Sequence, residues 1–219
     1  MCGRYKLAVP KERLPSLYDA GPLHTEYGPR YNIAPTAAAP VVRMADTGRV
    51  LELMRWGLIP HWSKEPTSRY ATFNARSEDA ADKASYRGPM RYRRCLVPCD
   101  GFYEWQRTSG TAKQPWLITM ADEAPFAMAG LWDCWRDELQ SFTVVTTSPN
   151  ALMATIHTRM PVILDREHWP RWLNPQLTDP GEVAHLLRPY PAELMLARPV
   201  SPYVNNARHD DPRCAQPLS

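Results

Sequence analysis

The chain begins Met-Cys-Gly-Arg-Tyr. Loss of Met1 leaves Cys2 with a free α-amine and a thiol on adjacent carbons, a pair that no internal cysteine has. An α-amine titrates near ~7.7–8.0 and a thiol near ~8.5, so each holds a nucleophilic fraction near neutral pH. With an aldehyde, the amine condenses to an imine, and the thiolate then closes on the same carbon. The product is a five-membered thiazolidine, more durable than an imine because two bonds must break to release it. The same pair suits amide hydrolysis, with the thiol as nucleophile and the amine as its base. On position alone, a cysteine that follows the initiator by chance is the commonest case.

Four internal stretches hold groups that could serve such a nucleophile. "FNARSED" carries Asn74, Arg76 and Glu78 at alternate positions, one side of an extended segment. An asparagine can hold a carbonyl or an amine, and an arginine can hold a phosphate through two parallel hydrogen bonds. "DGFYEWQ" sets Glu104 between Tyr103 and Trp105. A carboxylate enclosed by aromatic rings loses hydration, its pKa rises, and it becomes a candidate general acid or base. "IHTRMPVIL" places His157 and Arg159 ahead of an apolar strand, where a histidine can move protons near neutral pH. "RWGLIPHWS" offers Trp56, His61 and Trp62, with Arg55 and Lys64 alongside, and an exposed tryptophan there can stack on a nucleobase. Each stretch also has an ordinary reading: a solvated strand edge, an outward Glu104, a packing His157, a core Trp56. Composition does not bring Asn74, Glu104 and His157 together in space.

The bulk properties bound the rest. A chain of 219 residues is one domain by default and can bury a substantial core. Its 23 prolines, about twice the usual ~5%, favour short elements and many loops. A net charge of +3 excludes strong polyanion attraction through the total, so a nucleic-acid surface has to be a local patch. The five cysteines (Cys2, Cys95, Cys99, Cys134, Cys214) are odd in number, with no apolar leader ahead of them. Reduced thiols in a cytoplasmic compartment follow, at the nucleoid if the cell is bacterial. Cys95 and Cys99 lack the paired partners of a zinc site and read as small buried hydrophobes; no metal and no cofactor is expected. No apolar run reaches the ~20 residues of a membrane span.

These candidates need elements to position them. "VPKERLPSLYDAG" reads as a short helix ending at Gly21, and "PVVRMADTGRVLELMRWGLIP" as a hairpin around "ADTG". "RRCLVPCDGFYEWQR" repeats the pattern of strand, turn and strand. "QPWLITM", "PFAMAGLWDCW" and "SFTVVTTSP" are further strands, rich in β-branched and aromatic residues. Ser148 reads as a helix cap with Pro149 at the first position, and Asp179 with Pro180 repeats it. "RMPVIL" follows as a strand, and the tail holds one or two strands and a polar loop. The expected class is α+β, a single domain with a mostly antiparallel, barrel-like core and peripheral helices.

The stretches "MCGRY", "RYNIAPT", "RWGLIPHW", "FNARSE", "RRCLVPCDGFYEW", "AGLWD", "IHTRMPVIL" and "VNNARHDDPRC" occur in this order. Together they resemble the SOS response-associated peptidase (SRAP) family, the abasic-site processing proteins. The resemblance runs from Cys2 to about Cys214, so residues 1–219 form one such domain. It implies binding of single-stranded DNA that carries an abasic site and a covalent thiazolidine crosslink from Cys2 to C1′ of the opened sugar. It also implies a peptidase activity that removes Met1. By the same resemblance Cys2 is the nucleophile and Asn74 orients its amine or the sugar. Glu104 is the acid/base carboxylate, and His157 assists opening of the sugar ring. Arg4, Arg76 and Arg159 resemble phosphate contacts, Trp62 the stacking aromatic, and Asn32 and Thr146 polar residues near the pocket. The implied protein acts as a monomer, without a membrane. Two other readings stand beside this one: an N-terminal-nucleophile amidohydrolase with a non-DNA substrate, and a plain single-strand binding module in which Cys2 is incidental.

Overall fold

The computed structural model describes residues 2–67, 72–108 and 113–218. In chain order its strands are β1 (Arg4–Leu7), β2 (Arg30–Ile33), β3 (Ala38–Ala45), β4 (Gly48–Trp56), β5 (Asn74–Arg76), β6 (Arg94–Cys99), β7 (Gly101–Arg107), β8 (Lys113–Met120), β9 (Phe126–Trp135), β10 (Leu139–Thr147), β11 (Met160–Pro161), β12 (Ile163–Leu164) and β13 (Met195–Pro199). The helices are α1 (Leu14–Tyr18), α2 (Arg87–Tyr92), α3 (Ala151–Ala154), α4 (Trp169–Leu173) and α5 (Gly181–Ala184). None exceeds two turns, as the proline content requires. α1 ends on Asp19 in the left-handed region (φ 49°), just before Gly21.

Five strands close a barrel in the order β10–β4–β3–β6–β9, because β9 pairs back onto β10 from Leu139↔Trp135 to Val144↔Gly130. The β4–β10 contact is the parallel one in the ring. β5 continues along the same edge of β10, pairing Asn74 with Val144 and Arg76 with Thr146. β11 and β12 fill the gap where β9 and β10 part. Gly130 sits at that parting. A Cβ there would fall 2.8 Å from both Cys95 Sγ and Val97 Cγ2, so the strands approach as closely as they do only over a glycine.

A second, antiparallel sheet runs β13–β8–β7–β1–β2 and shares the barrel's core. Trp56 joins the two: its ring meets Tyr5 edge-on at 5.1 Å and stacks with Phe142 at 6.3 Å. β6 and β7 were expected as a hairpin and are not one. β6 belongs to the barrel and β7 to the second sheet, with the chain crossing at Asp100. All six residues of β6 are buried, the pattern of a strand enclosed on both faces. The cap expected at Ser148 moves to Asn150, whose side chain accepts from Met153 N–H at 2.8 Å. Asn150 is the extended residue (φ −76°, ψ −179°) directly ahead of α3, where an N-cap belongs, and Ser148 lies two positions earlier. Asp179 does cap as expected, accepting from Gly181 N–H at 2.9 Å, although Pro180 is the residue flanking α5. The tail wraps β2: the Asp210 carboxylate accepts from the N–H groups of Tyr31 (2.5 Å) and Asn32 (2.8 Å) and pairs with Arg30. Buried positions therefore run from Cys2 through Cys214.

The Gly130 contact gives a direct test. Gly130→Ala is expected to lower stability by about 1–3 kcal/mol through overpacking. Gly28→Ala, where a Cβ meets nothing within 4 Å, serves as the control. Equilibrium denaturation of both variants checks the difference.

Candidate active site

Four elements converge on Cys2. The residue leads into β1, whose register against β7 (Arg4↔Tyr103, Tyr5↔Phe102) brings the start of the chain alongside Glu104. Cys2 is fully buried and Glu104 is 2% exposed. From β5, Asn74 Nδ2 donates to the Cys2 carbonyl at 2.8 Å. Tyr86 Oη in turn donates to the Asn74 carbonyl at 3.2 Å. His157 follows α3, its N–H donating to the Met153 carbonyl at 2.8 Å. Its Nδ1 lies 3.9 Å from Glu104 Oε1. The structure thus brings together Cys2, Asn74, Glu104 and His157, which are far apart in sequence.

Burial sets the protonation states. It pushes the Cys2 thiol well above its ordinary value of 9.0, and the negative Glu104 pushes it further. Burial also raises Glu104 above the usual 4.5, against the pull of the positive amino terminus. His157 is lowered from 6.5, first by burial and then by the amino-terminal charge. Both backbone groups of Arg159 face His157 Nδ1, the N–H at 3.1 Å and the carbonyl at 3.3 Å, and the carbonyl contact works against the lowering. At neutral pH the thiol is therefore protonated. The carboxyl and the imidazole are displaced toward each other in pKa, the condition for passing a proton cheaply. The arrangement suits attack on a carbonyl carbon by an amine, with the thiol following.

The remaining predicted residues divide into two groups. Arg76 ends β5 with its side chain exposed. Arg159 lies beside it, across Thr146, and is already engaged. Its guanidinium grips Glu78 at 2.5 and 2.9 Å and the Thr146 carbonyl at 2.6 Å. Thr146 is buried, its Oγ1 bonded to the Ala75 carbonyl at 3.3 Å. Arg4 and Asn32 are internal ties. Arg4 donates to Asn32 Oδ1 and the Val204 carbonyl, both at 3.0 Å, and lies 5.9 Å from the Trp105 ring centroid. Asn32 donates to the carbonyls of Val204, Asn206 and His209 at 3.1, 3.1 and 2.7 Å, so its amide is committed to the C-terminal loop. Trp62 is 57% exposed and is not part of the cluster. Its loop is held at Ser141 and Asp133, through the N–H groups of Ile59 (2.8 Å) and His61 (3.0 Å). From Ser141 to Thr146 is about 17 Å of strand.

One contact at the site had no signal in the spacing, that of Tyr86; Glu78 was read with Asn74 and Arg76, but not as the partner of Arg159. Among the described residues, no three His, Cys, Asp or Glu side chains are placed to hold a metal. No described helix is long and apolar enough to cross a membrane. A cavity of about 420 Å³ between Tyr18, Phe126, Trp169 and Tyr190 includes none of the clustered residues.

The family model described as SOS response associated peptidase (SRAP) matches residues 1–207. The abasic site processing protein YoqW of Bacillus subtilis is 38% identical over 218 residues, 97% of each chain. The abasic site processing protein HMCES of Gallus gallus is 37% identical over 88% of this chain and 67% of its own. A crystal structure of a Bacteroides thetaiotaomicron protein superposes with a TM-score of 0.87 at 28% identity, covering both chains fully.

The buried, protonated Cys2 thiol is expected to resist alkylation at pH 7.5, while the partly exposed Cys134 reacts first. Glu104→Gln removes the negative neighbour, lowers the thiol's pKa and speeds labelling of Cys2. Peptide mapping by mass spectrometry after timed iodoacetamide treatment reads both rates. Equal labelling of Cys2 in the two proteins would contradict the electrostatic account.

Proposed function

Because the chain belongs to the SOS response associated peptidase (SRAP) family, we propose that it captures abasic sites in single-stranded DNA as a covalent crosslink to Cys2. The observation that carries this reading is the burial of Cys2 against Glu104 with its carbonyl tied by Asn74. That tie holds the backbone of Cys2, whose nitrogen becomes the nucleophile once Met1 has left. His157 takes the C1′ hydroxyl proton and returns it to O4′ as the C1′–O4′ bond breaks, leaving the open aldehyde, a C4′ hydroxyl and a neutral imidazole. The Cys2 amine adds to C1′ and gives a carbinolamine. Glu104 then delivers a proton to its hydroxyl, water leaves, and an imine remains. The thiol S–H adds across the C=N bond, sulfur to carbon and hydrogen to nitrogen, which closes the thiazolidine. The backbone of the strand is held at Arg76 and Arg159, and Trp62 stacks on a base farther along. No base is read, because the ligand is a missing base. The protein acts as a monomer in the cytoplasm, at the nucleoid if the cell is bacterial.

The state of the thiol separates this reading from a general cysteine amidohydrolase. Thiolate-first hydrolysis needs a thiol pKa lowered by a cationic neighbour. Here burial and Glu104 raise it, outweighing the lowering by the amino-terminal charge, and burial lowers His157. The peptidase chemistry this reading calls for is the release of Met1, which turns a peptide nitrogen into an amine.

The test is a denaturing gel of Met1-free protein with an abasic single-stranded oligonucleotide. A band that survives heat without borohydride is expected, and its absence would refute the proposal. Cys2→Ala is expected to abolish the band, and Cys2→Ser to leave only a borohydride-dependent imine. Glu104 must hold a proton to deliver one, so the crosslinking rate is expected to fall as pH rises through the pKa of Glu104, which burial places above the 4.5 of an ordinary glutamate. Glu104→Gln should slow the reaction about 10²-fold or more and flatten that limb.

A further inference from the structure

Arg159 does not stand open to a strand. Its NH1 and NH2 donate to the two carboxylate oxygens of Glu78 at 2.5 and 2.9 Å, in the fork-to-fork geometry that a phosphate would adopt. The two partners are held very differently. The Arg159 side chain is 16% exposed and is anchored by the Thr146 carbonyl at 2.6 Å. The Glu78 side chain is 54% exposed, and no other cation pairs with it among the described residues. The arginine is the fixed seat, and the glutamate is the member that can turn into water. Arg76 ends β5 and stands exposed; Glu78, expected on the same extended segment, lies instead in the turn that follows it. The two cations of this face are therefore not equivalent: one is available, and one is masked by an internal anion.

We propose that Glu78 is a built-in competitor for the phosphate seat on Arg159, displaced when a strand phosphate binds and restored when the strand leaves. This rests on the reading of Arg159 as a phosphate contact. A monoanionic phosphodiester brings one negative charge, as Glu78 does, so the exchange changes little in the charge at Arg159. The seat gives weak affinity to any passing polyanion. It takes hold when Arg76 and the aldehyde capture by Cys2 act on the same strand. Glu78 thereby favours strands that also engage the nucleophile over intact ones.

The experiment is fluorescence anisotropy of an undamaged single-stranded oligonucleotide in the Cys2→Ala background, so that no covalent step contributes. Glu78→Gln is expected to tighten binding about 2- to 5-fold, the range for releasing a partly exposed ion pair. The slope of log affinity against log salt should steepen by up to about 0.7, one extra phosphate on a single strand. Arg159→Gln should weaken binding, and the double variant should match Arg159→Gln alone. Weaker binding by Glu78→Gln would make Glu78 a strut for the arginine and overturn the proposal. A gain that persists in the double variant would show a general charge effect and overturn it equally. If Arg159→Gln changes nothing, Arg159 is no phosphate seat and the proposal falls with that assignment. The heat-stable crosslink to abasic DNA, measured with Cys2 intact, tests the covalent reading separately.

Discussion

The hydrogen bond from Asn74 to the Cys2 carbonyl is the contact on which the rest of the site depends. The first residues of a domain are usually poorly ordered unless something ties them down. Here β1 is threaded between β7 and β2 in the second sheet, and Asn74 reaches across from the barrel to hold the residue just before it. One amide thus links the start of the chain to a strand some seventy residues later.

Burial then does the electrostatic work. Enclosing Cys2, Glu104 and His157 in one place moves all three away from their ordinary protonation ranges, and in each case loss of hydration is the largest cause. The thiol is kept from acting early, and the carboxyl and the imidazole are brought closer in proton affinity. A site of this kind needs no large basic surface. The net charge is only +3, and of the two arginines nearest this edge Arg76 is exposed and Arg159 is paired with Glu78. The contacts of Arg4 and Asn32 belong to a different task. They clamp the C-terminal loop onto β1 and β2, so the tail helps to fix the strand that carries the nucleophile.

Much of the architecture was legible residue by residue. The β3–β4 hairpin around Asp46 and Thr47, the strands β8, β9 and β10, and the helix ending before Gly21 all follow from local pattern and turn chemistry. The α+β class with a barrel-like core follows from their sum. What local pattern mistook was partnership. "RRCLVPCDGFYEW" contains two strands, but alternation cannot say that they lie in different sheets. That depends on β6 being enclosed by β3 and β9. Ser148 has the chemistry of a cap, but the cap of α3 is Asn150, two positions later, and local pattern does not choose between them.

The same division holds for the site. Cys2, Asn74, Glu104 and His157 were nameable because their side chains carry recognisable chemistry in recognisable motifs. The sequence by itself determined the reactive groups, the strand and turn propensities, and membership of the SRAP family. Tertiary structure decided which groups meet, how far each loses its water, and which cations are already paired. Arg159 and Arg76 look alike in sequence, and only the fold sets a glutamate in the fork of one and leaves the other open. Chemical identity is a property of each residue, whereas pKa and availability depend on neighbours that the chain brings together from distant positions.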